Sequence, residues 1–144
     1  MKKLKLAFIG VAMSLTSFSA SAELFREASN TDPQTIDPHA VNSAPVRSFR
    51  NNIYEGLVRR NQGMSIEGSL AQSWEPLSDE NGWRFNLREG VTFQDGSLFN
   101  SEDVMFSYER ASSEAADVRS WFAPVKEVRV VDDYTIDFVT NAPN

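Results

Sequence analysis

Residues 83–93 read Trp-Arg-Phe-Asn-Leu-Arg-Glu-Gly-Val-Thr-Phe, and their pattern points to the class of fold. Apolar and polar side chains alternate from Trp83 to Leu87 and again from Val91 to Phe93, which is the period of a half-buried strand. Between the two runs, Glu89-Gly90 has the composition of a turn. Two alternating runs around a tight glycine turn predict a β-hairpin.

A second and clearer hairpin is predicted further along the chain. The run Val125–Val131 is rich in β-branched residues and alternates, and the run Tyr134–Phe138 alternates again. Asp132-Asp133 lies between them and supplies the turn.

Helical periodicity appears in two other segments, so the sequence predicts an α/β fold. Apolar residues recur from Val46 to Leu57 at spacings of three, four and four, which predicts a helix with one face on the core. Pro45 suits its first turn, and Ser43 is a possible cap. Asn100 can cap a second helix that we expect to continue to Ala111.

The segment before the first helix is read from its turn residues. We expect a short strand over Glu23–Ser29 and a turn-rich stretch over Asn30–Pro38. Ile36 is the sole apolar residue of that stretch, and we expect it to insert into the core.

The first 22 residues have the order typical of a secretory signal peptide. A basic start is followed by the apolar run Leu6–Leu15 and by the small-residue site Ala20-Ser21-Ala22. We therefore expect cleavage after Ala22 and export to the periplasm. The alternative, a retained anchor, is disfavoured because a membrane-spanning helix needs ~20 apolar residues.

Composition excludes several classes of protein. Residues 23–144 are enough for one modest domain and carry 11 basic against 20 acidic side chains, a net charge of −9. This charge argues against nucleic acid and anionic lipid as partners. The absence of cysteine excludes a thiol nucleophile and a thiolate metal site, and a single histidine excludes a histidine-rich zinc site.

The paired carboxylates are expected to be structural, and we predict no catalytic residue. Glu102 and Asp103 lie at a predicted helix start, where the helix dipole favours negative charge. Asp132 and Asp133 lie at a predicted turn. A hydrolytic pair would instead face a shared cleft and differ in environment.

Three other features of the sequence are candidate sites. His39 is a lone loop histidine, for which a solvent-facing or backbone-bonded role is more common than a ligand role. Trp121 stands in a polar stretch and suits a pocket wall or the core equally well. Arg59-Arg60 is better explained as a solvated turn than as an anion site.

Five stretches in this order and spacing resemble the start of the family 5 extracellular solute-binding proteins. They are Thr35-Ile36-Asp37-Pro38-His39, Ile53-Tyr54-Glu55-Gly56-Leu57-Val58, Leu70-Ala71-Gln72-Ser73-Trp74-Glu75, the stretch from Trp83 to Gly96, and the stretch from Phe99 to Arg110. Members include the periplasmic dipeptide, oligopeptide and nickel receptors of ABC importers. The resemblance covers nearly all of residues 23–144.

The resemblance implies a two-lobed periplasmic-binding-protein fold of type II, peptide-binding class, with a mixed sheet, flanking helices and β-hairpins. Residues 23–144 would be the N-terminal portion of the first lobe with its small inserted subdomain, and the second lobe would be absent. We therefore expect residues 23–144 to bind ligand poorly alone.

The implied function is capture of short peptides and delivery to an inner-membrane permease, by a monomer without catalysis or cofactor. A nickel-chelate or haem receptor is the alternative within the family. Outside it, the alternatives are an exported hydrolase with acidic catalytic residues and a small structural or adhesive domain.

The resemblance also implies candidate ligand-binding residues. In peptide-binding members, the segment after the Asp-Pro-His run lies beside the ligand backbone, and here that segment is Val41, Asn42, Ser43 and Ala44. An extended ligand beside it would bind by strand addition, which tolerates varied side chains. Several members line the pocket with an aromatic residue after the Glu-Asp-Val helix, and Trp121 is the nearest candidate.

Overall fold

The computed structural model describes Asp32 and residues 34–143. The predicted signal peptide, residues 1–22, and the strand predicted over Glu23–Ser29 lie outside this part of the chain. Within residues 34–143, none of the helices combines the length and the apolar character needed to cross a membrane.

The described residues form helices and antiparallel strands. The helices are α1 (Ala44–Arg50), α2 (Ser101–Ser112) and a 3-10 turn (Arg119–Phe122). The strands are β1 (Val58–Arg60), β2 (Ile66–Gly68), β3 (Ala71–Pro76), β4 (Gly82–Leu87), β5 (Val125–Asp132) and β6 (Thr135–Thr140).

The larger sheet has four strands in the order β3-β4-β6-β5, and β1 with β2 forms a separate two-stranded sheet. Ile136 of β6 is fully buried and pairs with Phe85 on one side and Val130 on the other. The core around it is built from buried side chains of the sheet, of α2 and of the loop before α2. They are Ala71, Leu87, Phe99, Val104, Val128 and Ile136. The expected combination of sheet, helices and hairpins is confirmed.

Helix α2 and the β5–β6 hairpin are confirmed, and the two are joined. Asn100 and Asp103 form a reciprocal capping box: the Asn100 amide donates to Asp103 Oδ2 at 2.9 Å. Ser101 then bonds the hairpin turn, donating from N to Asp133 O at 2.8 Å and from Oγ to Asp132 O at 2.6 Å. The carboxylate pairs therefore lie at a helix cap and a turn, as expected.

The hairpin predicted between Trp83–Leu87 and Val91–Phe93 is wrong. Strand β4 pairs instead with β3 and with β6, which lies about fifty residues away in sequence. Val91 O accepts from Phe99 N at 2.9 Å, so residues 91–99 fold back on themselves around Asp95-Gly96. Asp95 favours this turn because its Oδ1 accepts from the amide and the hydroxyl of Ser97.

The helix predicted over Val46–Leu57 is also too long, since α1 ends at Arg50. The Asn52 side chain donates to the carbonyl oxygens of Ser48 at 3.0 Å and Phe49 at 3.4 Å. Asparagine has low helix propensity, and a side chain that bonds nearby carbonyls competes with the helical pattern. The chain therefore leaves α1 through a turn at residues 51–53.

The predicted apolar stripe of this helix is only partly buried. Val46 is buried, whereas Phe49 and Ile53 are exposed. Arg50 shares the buried face with Val46, four residues away. The inward face of α1 is therefore partly polar.

Two loop interpretations also need correction. Ile36 does not insert into the core: it is 61% exposed, because polar contacts of its neighbours Asp37 and His39 hold the segment. Arg59 and Arg60 lie in β1 and not in a turn. Arg59 pairs across the strands with Glu67, Nε to Oε1 at 2.8 Å, in an exposed position.

Replacing Ile136 with alanine should lower the free energy of unfolding by about 2–5 kcal/mol, because it leaves a cavity in a fully buried site. Val131→Ala is the matched control: Val131 is exposed on the neighbouring strand, and its truncation should cost less than about 1 kcal/mol. Chemical unfolding monitored by circular dichroism measures both. Equal effects of the two substitutions would contradict the position assigned to Ile136.

Candidate functional site

The loop before α1 is organised around one buried guanidinium. Arg50 is 6% exposed and donates from Nη2 to Val41 O at 2.9 Å and from Nη1 to the carbonyl oxygens of Pro38 and Asp37. A buried charge is costly unless it is hydrogen-bonded. Here the carbonyls satisfy it and, in return, have their positions fixed. The loop therefore reaches α1 in a defined shape.

A second arginine ties the same loop to α2. Arg110 donates to both carboxylate oxygens of Asp37, with Nη1 to Oδ1 at 2.8 Å. This two-point pairing is the strong geometry for arginine and carboxylate. The Arg110 hydrogen bond, helped by the His39 amide at 2.9 Å from Oδ1, holds the pKa of Asp37 well below its usual range.

His39 is part of this cluster: it is half-buried, and its ring bonds a side chain as well as bordering solvent. Its Nδ1 lies 2.9 Å from Arg110 Nη1, and because arginine can only donate, Nδ1 must accept and the proton of the neutral ring sits on Nε2. Burial, and next the charge of Arg110, lower the pKa of His39. Its carbonyl accepts from Asp117 N at 3.0 Å.

The predicted ligand-binding segment follows this cluster directly. Val41, Asn42 and Ser43 are half-buried and Ala44, the first residue of α1, is exposed. Asn42 N donates to Asp117 Oδ2 at 2.7 Å, so the loop after α2 holds the segment. Ser43 is the N-cap residue with an extended backbone, but its hydroxyl makes no capping bond.

Several backbone groups of this segment are unoccupied. Within residues 34–143, no hydrogen-bond partner is present for the amides of Val41 and Ser43 or for the carbonyl of Asn42. In an extended segment, the amides of residues two apart point to the same side. The segment therefore offers a short edge with two free donors.

Trp121 lies on the 3-10 turn. Among the described residues its side chain is 53% exposed, so the core-filling interpretation is wrong. Its neighbour Phe122 packs inward instead, edge to face with Tyr108 at 5.7 Å between ring centroids. The guanidinium carbon of Arg47 lies 5.8 Å from the Trp121 ring centroid, and Arg47 Nη1 donates to Asn42 Oδ1 at 2.9 Å. Arg47 thus joins Trp121 to the predicted segment.

Sequence reasoning missed Arg47, Arg50, Arg110 and Asp117. Arg50 carried one usable signal, because an arginine four residues from Val46 on an apolar face requires buried partners. Arg110 and Asp37 are 73 residues apart, and nothing in a single sequence indicates their pairing.

An apolar groove of about 750 Å³ lies beside the cluster. His39 borders it, together with apolar side chains that include Leu57, Leu70, Val91 and Tyr108. Across the described part of the chain, no group of three or more His, Cys, Asp or Glu side chains is placed to hold a metal ion. The arrangement offers hydrogen-bond donors, a cation and an aromatic face.

The chain is similar to known proteins both in sequence and in structure. Residues 65–144, more than half of the chain, match the model of the bacterial extracellular solute-binding proteins, family 5, middle part. The glutathione-binding protein GsiB of Salmonella typhi is 28% identical over 141 residues, which cover 96% of this chain and 28% of GsiB.

Two solved structures are similar as well. MoaA from A. tumefaciens R10 in complex with mannopinic acid has a TM-score of 0.69 at 32% identity, over 76% of this chain and 24% of that one. The periplasmic binding protein DppA from Helicobacter pylori in complex with the peptide STSA has a TM-score of 0.65 at 30% identity, over 75% and 25%. The chain thus spans about a quarter of the length of its relatives.

His39→Gln should flatten the dependence of stability on pH. Because the folded state lowers the pKa of His39, the unfolded state, with a histidine pKa of about 6.5, takes up the proton first as pH falls. The contribution of neutral His39 to the free energy of unfolding should therefore be fully present above about pH 7 and decrease toward about pH 5. The variant should lose less over this range.

Urea unfolding of both proteins across these pH values measures the difference. At about pH 8 both side chains are neutral, so the gap there reports the change in packing and hydrogen bonding and not the titration. A variant whose stability falls as steeply as the wild type would contradict the lowered pKa.

Proposed function

This chain belongs to the bacterial extracellular solute-binding proteins of family 5, and from that premise we propose that the whole protein is a periplasmic receptor for short peptides. It delivers them to an ABC permease in the inner membrane and leaves their bonds intact. Residues 1–22 direct export and are removed after Ala22. Residues 23–144 form part of the first lobe, and the receptor acts as a monomer.

The observation that carries the proposal is the free backbone edge at Val41 and Ser43. An extended peptide beside the extended backbone of Ser43 offers carbonyl oxygens to these free amides and so binds by adding a strand. Main-chain hydrogen bonds of this kind do not depend on the ligand side chains. They therefore suit a receptor for peptides of varied sequence.

The neighbouring side chains supply the walls of the site. Asn42 and Ala44 lie on either side of Ser43 in the sequence. The exposed face of Trp121 offers an apolar surface for a ligand side chain. DppA from Helicobacter pylori, whose structure contains the peptide STSA, supports the same ligand class here.

Closure of the two lobes explains how binding becomes transport. A ligand that contacts both lobes binds the closed form better than the open one and shifts the equilibrium toward closure. The edge at 41–43 is held in position, because Arg50 bonds the carbonyl of Val41 and Asp117 bonds the amide of Asn42. The closed form is then the state presented to the permease.

Calorimetric titration of the full-length mature protein with trialanine, glutathione and a nickel–histidine chelate tests the proposal. We expect saturable binding of the peptides and none of the chelate, with no hydrolysis of the peptides. Binding of the chelate alone would favour the nickel receptor, and peptide hydrolysis would favour an enzyme. Residues 23–144 alone should bind poorly, since the second lobe supplies part of the cleft.

The role of the backbone edge has its own matched pair of variants. Ser43→Pro removes one free amide and should weaken trialanine binding roughly tenfold, whereas Ser43→Ala keeps the amide and should bind within about twofold of wild type. Circular dichroism checks that both variants fold. Equal binding by the two variants would show that the Ser43 amide does not contact the ligand.

A further inference from the structure

Building on the proposed function, we propose that Arg47 is the anchor for a carboxylate group of the ligand. The ligand class is therefore a peptide that presents a free carboxylate beside residues 41–44. The anchor determines specificity, because strand addition alone does not distinguish a charged peptide end from a neutral one.

The guanidinium of Arg47 is held in place by two independent contacts. Its Nη1 donates to Asn42 Oδ1 at 2.9 Å, and its central carbon lies 5.8 Å from the Trp121 ring centroid. This distance is within the range of a cation–π contact. Because two contacts already order the side chain, less conformational entropy is lost when a ligand binds.

Most donor atoms of Arg47 have no partner among the residues that the structure describes. Within residues 34–143, Arg47 makes no ion pair and its one side-chain hydrogen bond uses Nη1. Ion pairs occupy the guanidinium groups of other arginines of the described chain, namely Arg59, Arg84, Arg110 and Arg129. The planar fork of a free guanidinium matches the two oxygens of a carboxylate.

Arg47 lies where a ligand on the backbone edge would pass. Its own amide donates to Ser43 O at 2.9 Å, so Arg47 is one helical turn from the free Ser43 amide. Its side chain returns to Asn42, between the two free amides of Val41 and Ser43. The carboxylate and the backbone of a single short peptide can therefore be bound together.

The negative charge of this part of the protein favours a local cation at the place where such a ligand binds. Residues 23–144 have a net charge of −9, and the Asp117 carboxylate lies next to the segment, where its Oδ2 accepts from Asn42 N. This field disfavours an anionic ligand at long range. A positioned guanidinium offsets it at one point and so selects where the negative end of the ligand lies.

The test combines changes of the receptor with changes of the ligand, in full-length mature protein. The ligands are trialanine, trialanine amide and Ala-Glu-Ala amide, so the carboxylate is at the chain end, absent, or on a side chain. The variants are Arg47→Gln, Arg47→Lys and the control Arg119→Gln. Arg119 also carries an exposed positive charge and lies on the same 3-10 turn as Trp121, but within residues 34–143 it makes no aromatic contact.

We expect wild type to bind trialanine or Ala-Glu-Ala amide more tightly than trialanine amide, and the tighter of the two identifies the source of the carboxylate. Arg47→Gln should bind that ligand with about 10- to 100-fold lower affinity and trialanine amide with little change, as when a charge-assisted hydrogen bond is removed. Arg47→Lys should retain part of the preference, and Arg119→Gln all of it.

Two results would overturn the inference while leaving the receptor function intact. One is a preference for carboxylate that survives Arg47→Gln, and the other is an equal loss in Arg47→Gln and Arg119→Gln, which would indicate only the general field. If wild type binds none of the three peptides, the proposed function itself is wrong and the role of Arg47 is rejected with it.

Discussion

The buried guanidinium of Arg50 is the interaction on which the candidate site depends. It accounts for the shape of the loop at residues 37–41, because its donors are matched to the carbonyl oxygens of Pro38 and Val41. An apolar side chain in its place would leave these oxygens without partners, which costs more than the loss of an average hydrogen bond. Arg50 therefore has a structural role, in which its charged group organises the loop through hydrogen bonds.

The contacts of Arg110 and Asp117 extend this order to the second half of the chain. Arg110 joins Asp37 to α2, and Asp117 joins Asn42 to the loop after α2. The predicted ligand segment is therefore held at Val41 O and Asn42 N, and the amides of Val41 and Ser43 have no partner within residues 34–143. Fixed contacts that hold a segment, together with free donors on it, are what a preorganised binding edge requires.

How much the sequence could predict follows from the range of each interaction. Helix α2 and the β5–β6 hairpin were predicted correctly because capping at Asn100 and the turn at Asp132-Asp133 are local signals. The pairing of β4 with β6 was missed, since nothing in the alternation of residues 83–87 says which strand lies beside it. Alternation identifies a strand, not its partner.

The same difference between local and long-range interactions applies to the candidate site. The segment 41–44 and Trp121 came from family resemblance, and they remain proposals as ligand contacts. Arg47, which joins them, was missed because its contact with Trp121 links distant parts of the sequence, and no local pattern indicates such a pairing.

Hydrogen exchange of the backbone amides tests the central role of Arg50 most directly. In Arg50→Met, the amides of His39 and Asn42 should exchange much faster than in wild type, while the α2 amides should be unchanged and the exposed control Arg60→Met should have no effect. Unchanged protection of His39 and Asn42 in Arg50→Met would contradict the account.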